Sequence, residues 1–408
     1  MINIKTIGII TLYHNSANYG GLLQAYALVT LLNIHGYKAE QISVAYEPRN
    51  AKKETSRAKD IIKTNGYFSL ISRIIRKVYR IGKSQVMRTL AKALHVNNRI
   101  QVRLDSTKQF RENIPHSQKT YTQNNIYDCD GYDVYICGSD QVWRGISLFD
   151  ELNPAYWLTF VRSEKKKISY AASISRKSIP VSAENKVKEA LCDFNAISVR
   201  ENNDKKLLER VLDRHVEWVL DPTMLFSAEE WKALMPIDSN VEKGYLFVYL
   251  LGDSLKARRY AARLARKRGL KIVTIPYVLD NFRWCDLLFG DIRINDVSPT
   301  RWMSLIFHAD FVVTDSFHCT AFSILFHKSF LTFKRDSDES DNSSNSRIYS
   351  LLDRFELTDR IVEINSAVVA KHNLDFVDNE IDYHRVDQIL NNARELSTSF
   401  LYQAIGEP

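Results

Sequence analysis

Residues Phe311–Ile324 read FVVTDSFHCTAFSI, and this stretch decides the fold. Phe311 to Val313 are apolar and read as the end of a buried strand. Thr314, Asp315 and Ser316 are turn formers and helix caps. His318 then stands at the mouth of a predicted helix backed by Cys319, Ala321 and Phe322. A strand that runs directly into a helix N-terminus presents free N–H groups and the positive end of the helix dipole, which together favour an anion. A histidine there either donates to that anion or only caps its own helix.

The chain has 408 residues, 45% hydrophobic and 25% charged, as expected of a soluble globular protein with two domains. Cys129, Cys137, Cys192, Cys285 and Cys319 are scattered without a C-x-x-C pair, which points to reduced thiols and a cytoplasmic setting. No Cys/His cluster has metal-ligand spacing, so no metal is expected. The first apolar run, Ile7–Leu12, is too short for a signal peptide, and no apolar run reaches membrane-spanning length. The formal charge is +8, yet residues 51–111 carry 16 Lys and Arg against three acids. A mildly acidic body therefore bears one basic insertion.

In the first half, Thr6–Leu12 reads as a buried strand, HNSANYGG (residues 14–21) as a ligand-side loop, and Leu22–His35 as a helix with one apolar face. Lys38–Ala45 reads as the next strand, which completes a unit of a doubly wound parallel sheet. Phe68–Leu94 reads as a cationic amphipathic helix. It is either packed on its own domain or, as a peripheral contact, set against an anionic inner-membrane surface. Nothing resembles a nucleic-acid motif. Later strands end in Ser139 and Asp140, in Ser173, in Arg200 and in Asp221, all expected on one edge.

Residues 226–240 read as a linker. A second strand–helix alternation follows over 241–375, and a final helix in 376–408 is expected to cross back to the first domain (1–225). Two Rossmann-like α/β domains facing a cleft make a GT-B-like architecture, here with a basic helical insertion in the first domain.

NYGGLLQAYAL (18–28), ICGSDQVW (136–143), SYAASI (169–174), SVRE (198–201), LDPTML (220–225) and TDSFHCTAFSI (314–324) occur in an order that resembles the polysaccharide pyruvyl transferase family. The resemblance implies a bacterial enzyme of surface-polysaccharide assembly. It would need no cofactor and would take phosphoenolpyruvate as donor. Its acceptor would be a glycan or lipid-linked oligosaccharide, and its product a cyclic pyruvyl ketal with release of phosphate.

The resemblance assigns His318 as general acid or phosphate donor and Arg200 as a grip on the donor's anionic groups. Asp140 is the candidate base, or else a helix cap. Ser139, Asn18 and Gly20 are expected near the substrates. Asp221 reads as mainly structural, and Asp315 as the cap of the His318 helix. Family members often carry Arg-Leu-His where this chain has Ser316-Phe317-His318. Ser316 brings no charge, so Lys334, Arg335 or Arg347 is expected to supply it. Two other readings stand beside this one: a GT-B glycosyltransferase using a nucleotide sugar, and a non-catalytic glycan- or carrier-binding scaffold.

Overall fold

The computed structural model describes residues 4–45, 96–144, 152–238, 241, 243–277, 283–335, 345–363 and 379–407. β1 (Thr6–Ile10) is buried from Ile7 onward, as suits an inner strand of a parallel sheet covered on both faces. α1 (Tyr19–Ile34) follows, its first turn fixed by Asn18. The Asn18 side-chain oxygen accepts from Gly20 N and Gly21 N at 3.1 and 3.4 Å, two donors that a helix start leaves open. The sequence suggests a helix from Leu22 with one apolar face. It starts at Tyr19 and is buried on nearly every side, because its far side meets the second domain instead of water.

β2 (Lys38–Gln41), α2 (Val96–Glu112), β3 (Val134–Cys137), β4 (Lys166–Ala172), α3 (Val181–Leu191), β5 (Ala196–Val199), α4 (Asn202–Leu212) and β6 (Glu217–Trp218) complete the first domain's sheet and its helices. The strands are parallel, in the order β2-β1-β3-β4-β5-β6. Strand order reverses between β1 and β3, so their carboxyl ends border the crevice where such sheets bind ligands. Thr11 Oγ1 donates to Ser139 O at 2.7 Å across that crevice.

The segment expected as a linker holds a helix, α5 (Ala228–Leu234). Ser227 and Glu230 cap it reciprocally, a start signal hidden in polar composition. β7 (Tyr245–Tyr249), α6 (Leu255–Arg268), β8 (Lys271–Thr274), β9 (Ile292–Arg293), α7 (Pro299–His308), β10 (Phe311–Thr314), α8 (Phe317–Leu325), β11 (Ser329–Phe333), α9 (Ser346–Arg354) and β12 (Ile361–Val362) build the second domain. Its parallel sheet runs β12-β11-β10-β7-β8-β9. Here the switch point lies between β7 and β10, where the stretch quoted at the outset leaves its strand.

Several contacts join the domains. Tyr19 OH donates to Val297 O at 2.9 Å. Its ring stacks 5.6 Å from Trp302, which meets Phe322 edge-on at 5.6 Å, and Phe322 meets Trp231 at 5.4 Å. Such pairs add about 0.5–1.5 kcal/mol each beyond their burial. Arg103 of α2 lies 4.8 Å above the Tyr19 ring and donates to Pro276 O at 3.4 Å.

The final helix, α10 (Tyr383–Ile405), returns to the first domain. Its Ser397 Oγ accepts from Leu220 N at 2.9 Å, and Arg394 donates to Met224 O and Phe226 O at 2.8 and 3.1 Å. Lys166 Nζ donates to Ile405 O at 3.0 Å, and Tyr37 OH to Gly406 O at 2.8 Å. The cationic helix expected at Phe68–Leu94 lies outside the described residues. Among the described residues no helix is long and apolar enough to cross a membrane.

Candidate active site

β10 delivers Thr314, Asp315 and Ser316 to the switch point. The expectation that Asp315 caps the next helix fails. Ser316 is the N-cap, its hydroxyl accepting from Cys319 N at 3.5 Å. Asp315 turns the other way and accepts from Leu251 N and Gly252 N, each at 2.7 Å. The reason is topological: β7 is the neighbour of β10, and the loop leaving it brings two N–H groups that need an acceptor.

His318 falls in the first turn of α8 and is only 5% exposed. First-domain atoms enclose it. Its Nε2 lies 3.5 Å from Asp221 Oδ2 and is buried without a full hydrogen bond. Gly20 presses on the other side of the ring: a methyl group built on Gly20 would stand 2.1 Å from His318 Nδ1. Glycine is therefore required at position 20 for this approach.

Asp221 fixes its own strand end and also faces the histidine. Its Oδ1 accepts from Thr223 N and Oγ1 at 3.0 and 2.8 Å, the structural duty expected of it. Its Oδ2 accepts from Arg200 Nη1 at 2.8 Å and from Ser139 Oγ at 3.0 Å. Burial alone would raise this carboxyl, but His318 and Arg200 beside it outweigh burial and hold it well below the usual range.

Arg200 leaves β5 into a nest of carboxylates. Nε meets Glu201 Oε1 at 3.1 Å and Nη2 meets Asp140 Oδ1 at 3.3 Å, besides the bond to Asp221. The Phe317 ring covers the guanidinium plane at 4.2 Å. Burial disfavours the charge, yet Glu201, Asp140 and Asp221 together push the group further up. Three of its five N–H groups are thus taken. For Asp140, burial would raise the carboxyl, but Arg200, His318 and Arg347 hold it below its ordinary value. Asp140 adopts a left-handed backbone (φ 71°), as does Ala171 (φ 49°), and such conformations cost about 1–3 kcal/mol and collect at functional sites. The bond from Ser173 N to Asp140 O at 3.0 Å helps keep the turn in place.

The structure thus brings His318, Asp140, Arg200, Ser139 and Gly20 together and adds Asp221, Glu201 and Phe317. Asn18 stands nearby, but its amide is used as the α1 cap. Ser316 is likewise a cap. Lys334 is drawn to Glu363 and lies 4.8 Å above the Tyr349 ring. Arg335 donates to Asp315 O at 2.9 Å. Arg347 is buried in the first turn of α9. The role of Asp221 was hidden because Asp-Pro-Thr at a strand end reads equally well as a cap. Phe317 gave no signal, since stacking depends on a partner 117 positions away.

A carboxylate beside a buried histidine can set that histidine as a proton donor or acceptor. Three carboxylates (Asp140, Glu201, Asp221) surround the Arg200 guanidinium. No metal-holding group of His, Cys, Asp and Glu occurs among the described residues.

A family model described as polysaccharide pyruvyl transferase matches residues 18–337. No curated protein matches the chain. Among solved structures, the chain is similar to a putative UDP-N-acetylglucosamine 2-epimerase from Listeria monocytogenes (TM-score 0.53, 10% identity, 99% of this chain and 98% of that one). It is also similar to the S. aureus MnaA–UDP structure (TM-score 0.53, 13% identity, 99% of each chain). A third is Methanocaldococcus jannaschii UDP-GlcNAc 2-epimerase in complex with UDP-GlcNAc and UDP (TM-score 0.51, 11% identity, 95% of this chain and 99% of that one). At such identities the likeness shows the fold alone, and that fold is GT-B.

Proposed function

The chain belongs to the polysaccharide pyruvyl transferase family, and from that premise we propose that it moves the pyruvyl group of phosphoenolpyruvate onto two hydroxyls of one sugar. The observation that carries this reading is the Asp221–His318 pair. A second-domain histidine is held at 3.5 Å from a first-domain carboxylate, with Arg200 and Asp140 beside it.

His318 gives a proton to the CH₂ carbon of the enol phosphate, and C2 becomes electrophilic. A sugar hydroxyl adds to C2 and yields its proton to Asp140. The bond from C2 to the phosphate oxygen then breaks, and a second hydroxyl closes the ketal. One of the two hydroxyl protons replaces the proton given to carbon, and the other leaves with phosphate. Positioned acid and base groups of this kind supply about 10² to 10⁴ in rate. The acceptor is a glycan or lipid-linked oligosaccharide at the cytoplasmic face of the membrane.

The test is phosphate release from phosphoenolpyruvate with glycans and lipid-linked intermediates as acceptors, read together with the mass of the product. His318→Gln is expected to abolish release while leaving donor binding intact. Undiminished turnover by that variant would remove His318 from the chemistry and leave a scaffold.

One observation favours a second reading, a nucleotide-sugar enzyme. A cavity of about 240 Å³ lies at the β7/β10 switch point, lined by Gly252, Ser254, Arg258, Arg283 and Arg335 among others. Stabilisation by UDP with none from phosphoenolpyruvate, in a thermal-shift comparison, would select it.

A further inference from the structure

We propose that Asp204 is a positioning residue of the donor site: its carboxyl keeps a proton, donates it in a hydrogen bond to Glu201, and through Glu201 fixes Arg200. This deepens the phosphoenolpyruvate reading, since Arg200 is the group expected to hold that donor's anionic end.

Glu201 is the N-cap of α4 and Asp204 its third residue. Side chains three apart at a helix start share one face. Both residues are fully buried, and each spends one oxygen on a fixed partner. Glu201 Oε1 accepts from Arg200 Nε at 3.1 Å. Asp204 Oδ2 accepts from Ile174 N and Ser175 N at 2.7 and 3.3 Å. These two donors converge because Ser175 turns left-handed, with φ 52°. The remaining oxygens, Glu201 Oε2 and Asp204 Oδ1, are buried without a partner among the described residues.

Two neighbouring carboxyls in a buried site do not both keep a charge. One proton between their orphaned oxygens satisfies both at once. The charge stays on Glu201, which faces the Arg200 guanidinium. Burial and then the Glu201 charge raise the Asp204 carboxyl, so the proton lies on Asp204 Oδ1 and points at Glu201 Oε2.

The bond bears on the site by two routes. Glu201, held at Oε2, keeps its other oxygen on Arg200 Nε, while Nη1 and Nη2 of the guanidinium stay on Asp221 and Asp140. Asp204 also pins Ile174 and Ser175, next to Ser173, whose N–H donates to Asp140 O at 3.0 Å. Asp204 itself touches no substrate and acts through these neighbours.

The test uses the full chain and its Asp204→Ala, Asp204→Ser and Asp204→Asn variants, each checked for folding by its melting curve. Serine keeps an acceptor for the two N–H groups but is too short for Glu201, so it answers if the alanine variant does not fold. Asparagine keeps both an acceptor and a donor. The infrared difference between wild type and Asp204→Asn at pH 7 is expected to show a protonated carboxyl. The Arg200 Nε–H resonance, assigned by its loss in Arg200→Lys, should be protected from exchange in wild type and Asp204→Asn and unprotected in the alanine and serine variants. KM for phosphoenolpyruvate should rise about tenfold in those two variants, with kcat changed by less than about threefold, because the lost grip is one of binding. Asp204→Asn should recover most of that loss. An ionised Asp204 in the infrared, an asparagine variant no better than alanine, or alanine and serine variants with the wild-type KM and Arg200 signal would each overturn the proposal. If the wild type does not turn over phosphoenolpyruvate, the donor is wrong, and the infrared and Arg200 signals still decide for or against Asp204.

Discussion

Replacing Gly20 by alanine tests the seam between the domains directly. The new methyl would lie 2.1 Å from His318 Nδ1, 2.2 Å from Cγ and 2.6 Å from Cβ, roughly 1–1.4 Å inside normal contact. The clash includes the root of the side chain, so a rotamer change does not remove it. Nor can the ring retreat freely, because Asp221 stands 3.5 Å away at Nε2. Overpacking of this kind costs about 1–3 kcal/mol, while alanine in a helix returns about 0.5–1 kcal/mol. A net loss of about 1–2 kcal/mol is expected, a melting shift of at most a few degrees in a chain of this size. Turnover should fall much further, because a misplacement of about 1 Å can cost 10²-fold.

Gly21→Ala is the control. Its methyl would meet Leu12 O at 3.4 Å and little else, so stability should hold or rise slightly. The double variant Gly20→Ala/His318→Ala should show a coupling of about 0.5–3 kcal/mol by urea denaturation. If Gly20→Ala melts and turns over like Gly21→Ala, His318 does not rest on Gly20 in solution.

Other perturbations probe the charge network. Asp221→Asn leaves Arg200 short of a buried counter-charge and is expected to destabilise by about 3–5 kcal/mol in urea titrations. The Asp140 and Asp221 carboxyls are depressed in the folded chain, so their stabilisation is full above the unfolded value near pH 4 and is lost as pH falls further. Asp221→Asn should flatten the acid limb of stability against pH, and an unchanged limb would refute the pairing. Asp204 behaves oppositely: burial, the Glu201 charge and the bond to Glu201 raise it well above its ordinary value, although Ile174 N and Ser175 N donate to it. The unfolded chain loses that proton as pH rises through about 4 while the fold retains it, so wild-type stability drops with pH there. Asp204→Asn mimics the protonated acid and should match the wild type near pH 4 but exceed it at pH 7, as read by melting temperature. Arg103→Ala removes the cation above Tyr19 and the bond to Pro276 O and should cost about 1–3 kcal/mol without altering the sheets' circular dichroism.

The fold was legible because its signals are local. Apolar runs such as Phe311–Val313, each followed by turn formers and a helical period, name a parallel strand and its crossover wherever they occur. The convergence of Ser139, Asp140, Arg200 and Asp221 followed from the rule that parallel strands end on one edge. What depended on side-chain direction was not legible. Asp315 and Ser316 are neighbours with similar capping ability, and only the position of β7 decides which one caps. Lys334 and Arg335 alternate to opposite sides as the chain leaves β11, so one reaches Glu363 and the other Asp315. The helix at Ala228–Leu234 was missed because its capping box sits in polar surroundings that read as a linker. The contact between Gly20 and His318 spans 298 positions and leaves no local trace.

The return of α10 to the first domain bears on how the chain is made. Leu220 N, Met224 O and Phe226 O find their partners on Ser397 and Arg394, which are made only after the second domain. The first domain, although synthesised first, therefore waits through the whole of the second before its sheet is covered, contrary to the usual order in which an N-terminal domain folds as the next one emerges. A nascent chain stalled before residue 383 would lack these partners and leave Leu220 N without its acceptor. A separately supplied α10 peptide should rescue it.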